Sequence, residues 1–234
     1  MILETFESYN DILILGKRII EFLSKEIDNE KNILEQIVGE YKINDVVRVN
    51  DLKSLESLFE NNHIILRIRI THDDMVSGKA EMQGNRCYID INLNSKSHHA
   101  MNKYPSNSIH FLIRDVFLHE FQHIFDFYRS NGKSGDKANY DVDKLLDSDL
   151  GEYKKYIKDD MEVSAKMVEV LSGIGFFTFG DDFNLVPREL REVLEEFKRR
   201  FSGFNLLKEK QKKSLLSKVS QYYHKKIDKY KDEK

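Results

Sequence analysis

The chain has 234 residues, a length that suits one domain or one domain with a small appendage. Its 40% hydrophobic and 33% charged content excludes a disordered or low-complexity chain, and a net charge of −3 argues against a nucleic-acid partner held by bulk electrostatics. The lone Cys87 cannot form an internal disulfide, which excludes a disulfide-stapled secreted module.

The first residues carry Glu4 and Glu7 where an export signal has positive charge. No stretch approaches the roughly 20 apolar residues of a bilayer span. The expectation is a cytoplasmic protein without a membrane partner. Residues 10–27 place Ile12, Leu15, Ile19 and Leu23 at helical spacing. Shorter helical patterns follow around Ile33–Val38, closing at Gly39, and around Leu52–Phe59. Residues 1–61 therefore read as a helical N-terminal cap.

The period then changes. Residues 63–71 alternate Leu66, Ile68 and Ile70 with Arg67, Arg69 and Thr71, and Cys87, Ile89, Ile91 and Leu93 alternate with Tyr88, Asp90 and Asn92. Both are half-buried strands. With Ser77-Gly78 and Gln83-Gly84-Asn85 as turns, residues 63–93 read as a small antiparallel sheet. Helical pattern resumes from Ser106 to Tyr128, residues 131–150 read as an acidic loop, and Glu152–Leu171 reads as a second helix. Pro187 is expected to open a further helix. The fold class is α+β, divided as cap 1–61, core 62–204 and basic C-terminal helix 205–234, together one compact unit.

The chemistry lies in Leu118-His119-Glu120-Phe121-Gln122-His123. On a helix, His119 and His123 project from one face a turn apart, where one tetrahedral zinc ion can take both imidazoles. Glu120 lies on the neighbouring side of the same turn, within reach of a water activated by the ion, as a general base requires. The surrounding residues Val116, Phe117, Phe121, Ile124 and Phe125 are apolar, so three idle ionisable groups there would be costly. The bland alternative is two hydrogen-bonded core histidines beside a salt-bridged glutamate.

This His-Glu-x-x-His helix resembles that of the zinc metallopeptidases of the zincin type. Metzincins continue with a glycine and a third histidine, at places held here by Asp126 and Arg129, so that branch is excluded. The gluzincin branch takes a glutamate from a second helix, followed three residues on by a small residue. Glu162 with Ala165 fits, and the resemblance implies Glu162 as third zinc ligand. Glu169, Asp159 and Asp160 remain rivals, and Lys166 stands where some relatives carry an acid. The resemblance covers roughly residues 63–175. It implies a zincin-like core, a Zn2+ cofactor, a protein or peptide substrate and hydrolysis with Glu120 as base.

It also implies that the strand before the active-site helix, Tyr88–Leu93, is an edge strand on which an extended substrate docks. An oxyanion donor is expected among Tyr153, Tyr156, Tyr222, Tyr223 and His224. Cys87 reads as core, the adjacent His98 and His99 as solvated loop residues, and His110, which precedes the motif, argues for little. Residues 206–234 hold ten lysines against four acids, with Leu215, Leu216, Val219, Tyr223 and Ile227 on one face, the pattern of a docked last helix. The other function class is a catalytically silent zincin-fold binding or structural protein acting through protein partners, which an intact Glu120 argues against. The oligomeric state stays open.

Overall fold

In the computed structural model, residues 6–25, 36–71, 77–94, 107–130, 159–179 and 185–232 are described. The helical pattern expected around Ile33–Leu34, the loop expected at 131–150 and the start of the second helix expected at 152–158 lie outside them. The chain divides by contact density into two units, drawn from residues 2–136 and 137–234.

In the first unit, helix α1 (Phe6–Lys25) buries Ile12, Leu15, Ile19 and Leu23 completely. This three–four spacing gives one apolar stripe. Strand β1 (Gly39–Lys42), the short helices α2 (Ile43–Val46) and α3 (Glu56–Asn61), and strands β2 (His63–Thr71), β3 (Ser77–Gln83) and β4 (Arg86–Asn94) follow. The last element is the 23-residue helix α4 (Asn107–Arg129).

The strand order is β1-β2-β4-β3. β1 runs antiparallel to β2, β2 parallel to β4, and β3 antiparallel to β4. The sheet is thus mixed rather than antiparallel. Parallel pairing arises because β4 inserts between β2 and β3, and a local reading of alternation carries no information on that order. Ser77-Gly78 is no turn either; it opens β3. The turn proper is Gly84-Asn85, where Gly84 has φ of 62°, a torsion that glycine adopts at no steric cost.

One sheet face buries Ile64, Leu66 and Ile68 with Cys87, Ile89, Ile91 and Leu93, and α4 packs on β3 and β4. From α4 come Phe117 and Phe121, both fully buried, stacked at 5.7 Å between ring centroids, with Phe59 6.1 Å beyond Phe121. The other face carries the buried Ile65 among polar residues. There Arg67 makes two 2.6 Å hydrogen bonds to Asp90 and lies 4.2 Å from the centroid of the Tyr88 ring, which lets Asp90 stand buried with its charge matched.

The second unit opens with helix α5 (Asp160–Ser172), whose N-cap Asp159 accepts a hydrogen bond from the Met161 amide at 2.9 Å. Strands β5 (Phe177–Phe179) and β6 (Leu185–Pro187) form an antiparallel pair. Pro187 therefore ends a strand, and helix α6 (Leu190–Arg200) starts three residues later. Helix α7 (Glu209–Asp232) buries Leu215, Val219, Tyr222, Tyr223 and Ile227 beside a lysine-rich face, and Gln211 at its start donates to Asp160 at 3.0 Å. Arg188 donates to the Gly175 carbonyl and to Glu196, which also accepts from Arg200. No helix among the described residues is long and apolar enough to cross a membrane.

Candidate metal centre

Helix α4 places His119 and His123 one turn apart. Their ring centroids are 4.9 Å apart with planes at 79°, so the two imidazoles converge edge-on instead of stacking. Both are half-buried. Gln122 and Asp126, also buried, lie on another side of the same helix and are joined by a 3.0 Å hydrogen bond. Glu120 is buried and turned toward β3: its Oε1 lies 2.5 Å from the point a Cβ on Gly78 would occupy.

Glu162 sits in the first turn of α5 and is buried, a position where the helix dipole favours a carboxylate. Ala165, three residues on, is fully buried. One ligand atom from each of His119, His123 and Glu162 lies within 4.8 Å of the others. A zinc ion bonded at about 2.0–2.2 Å sets its donors about 3–4 Å apart. The three atoms lie near that spacing, and two imidazoles with one carboxylate form a donor set that leaves a fourth position open. The cluster can hold a metal ion.

The rivals for the third ligand have other partners. Glu169 accepts from Lys166 at 2.5 Å, Asp159 caps α5, and the exposed Asp160 accepts from Gln211. Lys166, where some zincins carry an acid, thus neutralises its neighbour on the helix.

The expected docking edge requires correction. Tyr88–Leu93 lies in β4, which is hydrogen-bonded on both sides, so its backbone cannot accept a further strand. Among the described strands the outer position next to α4 belongs to β3. Of the expected oxyanion donors, Tyr153 and Tyr156 lie outside the described residues. Tyr222 is buried and Tyr223 donates to the Arg188 carbonyl at 2.6 Å, while His224 is exposed. His98 and His99 also fall outside the described residues, as does the side chain of His110. Cys87 is buried in β4, and burial pushes its thiol up to about 11, which leaves it protonated and unreactive at neutral pH.

A half-open cavity of about 560 Å³ lies on the Arg67 side of the sheet, with Lys42, His63, Arg67, Arg86 and Tyr88 in its lining. It contains none of the cluster residues, and Glu40 and Asp45 offset its positive charge. Compared with known proteins, the chain matches no protein-family model, no curated protein and no solved structure.

Proposed function

We propose that the protein is a gluzincin-like zinc metallopeptidase. The observation that carries this reading is the convergence of one ligand atom each from His119, His123 and Glu162, with Glu120 next in sequence to the first of them. Zinc bound there would supply Lewis acidity, polarising a peptide carbonyl and lowering the pKa of a water toward ~7. The chain's own residues do the rest. His119 and His123, as neutral imidazoles, and Glu162, as a carboxylate, hold the ion. The Glu120 carboxylate takes a proton from the attacking water and delivers it to the leaving amine nitrogen. The outer edge of β3 offers backbone groups with which an extended peptide can pair.

The test measures zinc by elemental mass spectrometry and turnover on an unfolded protein mixture, for the wild type and Glu120→Gln. About one zinc in both, with cleavage by the wild type alone, is the expected result. Absence of zinc from both after reconstitution would make His119 and His123 core histidines and end the proposal. Zinc in both without cleavage of this mixture or of a peptide library would transfer the reading to a silent binding protein.

A further inference from the structure

We infer that Gly78 is a positioning residue for Glu120: the absence of a side chain there lets β3 lie against the carboxylate and set its direction. The functional half of this role rests on the metallopeptidase reading; the contact itself does not.

Gly78 pairs with Ile91, Ala80 with Ile89, and Met82 with Cys87. Directly paired residues share a sheet face, so these three turn toward the buried side on which α4 packs. Their size falls from Met82 through Ala80 to nothing at Gly78. A Cβ at Gly78 would stand 2.5 Å from Glu120 Oε1, 2.7 Å from Glu120 Cγ and 2.6 Å from Val116 Cγ1. Real Cβ contacts essentially never fall below 3.0 Å. Val116 and Glu120 are one helical turn apart and form a fork into which the bare strand fits. Val116 is β-branched and stiff about χ1, so it yields little.

The requirement is space, not torsion. Gly84 and Gly203 have positive φ, whereas Gly78 does not, so its backbone accepts alanine. Neither His119, His123 nor Glu162 is among the atoms nearest Gly78. Alanine at 78 therefore moves the base relative to the strand and spares the ligands. A displacement of about 1 Å can cost on the order of 100-fold in rate. The strand that would carry the peptide also seats the base, so substrate and Glu120 share one frame.

The experiment uses the full zinc-loaded chain as wild type, Gly78→Ala, Val116→Ala and Gly78→Ala/Val116→Ala, reading zinc content, Tm, kcat and KM. The single Gly78→Ala variant should keep its zinc, melt several degrees lower and lose about 30- to 100-fold in kcat. Adding Val116→Ala frees one prong of the fork, so the double variant should recover most of the Tm and little of the kcat. Recovery of both together would show that Gly78 serves packing alone and overturn the role, as would a Gly78→Ala kcat within threefold of wild type. If the wild type binds no zinc or turns nothing over, the peptidase reading falls and the positioning role falls with it. The contact is then read separately: the Tm loss from Gly78→Ala shrinks in a Glu120→Ala background if the two touch, and an unchanged loss refutes the contact.

Discussion

Glu162 and Glu169 stand two helical turns apart on α5, and spacing alone puts both on one face. What separates them is Lys166, four residues after one and three before the other, which gives its ammonium to Glu169. A carboxylate already neutralised by a lysine is a poorer partner for a dication than Glu162, buried at the helix N-terminus. Glu162→Gln should therefore weaken zinc binding by more than about 100-fold, exceeding the loss typical of a residue that merely supports a ligand. Glu169→Gln should leave zinc affinity unchanged and cost at most ~0.5 kcal/mol, since it removes one partly exposed pair at i,i+3 spacing. Competition with a chromophoric chelator distinguishes the two, and equal losses would remove Glu162 from the site. The sequence did not separate the two, because Lys166 stands four residues after Glu162 and three before Glu169 and spacing lets it pair with either; the structure pairs it with Glu169. Gly78 was not legible either, because Ser-Gly next to a strand has the composition of a turn, and the neighbour that requires a glycine lies about 40 residues away.

At the scale of elements, alternation and helical period located β2, β4, α4 and the buried stripe of α7 to within a residue or two, because each records one face meeting water. They could not order the strands. Pairing of β2 with β4 depends on where β3 is set aside, a nonlocal choice that leaves no periodic trace in β4. The close crossing of α1 and α4 was equally hidden: a Cβ on Gly16 would lie 2.7 Å from Leu118 Cδ2 and 2.9 Å from its Cγ. Gly16→Ala should destabilise by about 1–2 kcal/mol, overpacking outweighing the helix propensity of alanine. In a Leu118→Ala background the clash is gone, and the same change should stabilise by up to about 1 kcal/mol; urea midpoints read the sign. The ties between β6, α6 and the Gly175 turn depend on Glu196. Burial opposes its ionisation, but hydrogen bonds from Arg188 and Arg200 outweigh this and hold its carboxyl below the usual glutamate range. A depressed folded value means stability that is complete above the unfolded value of about 4.3 and is lost as pH falls through the folded one. Glu196→Gln should cost about 1–2 kcal/mol at pH 7. Denaturation at a series of pH values should show the gap to wild type closing as the pH drops below 4.3, and a gap independent of pH would refute the ion pair's contribution.

Over the whole molecule the weak net charge of −3 concealed a basic last segment whose lysines flank a buried stripe, and only the position of Leu215, Val219 and Ile227 revealed a docked helix. The stability of the chain as a whole should follow its metal. His123 and Glu162 are 39 positions apart in sequence, so an unfolded chain would have to close a long loop before one ion could meet both, and zinc held there would favour the native state. Free zinc at 1,000 times Kd then adds about 4 kcal/mol to folding. For a chain of this size each kcal/mol moves Tm by about 2–4 °C, so saturating zinc should raise the melting transition by about 8–16 °C and a chelator should reverse it. Glu162→Gln should lose most of that response, whereas Glu120→Gln should keep it, because Glu120 is outside the His119–His123–Glu162 cluster and in the proposed reading acts as base and not as ligand. Differential scanning calorimetry of the three proteins with and without zinc separates holding from turnover in one measurement. A wild-type transition indifferent to zinc would mean that the convergence of His119, His123 and Glu162 is an accident of packing.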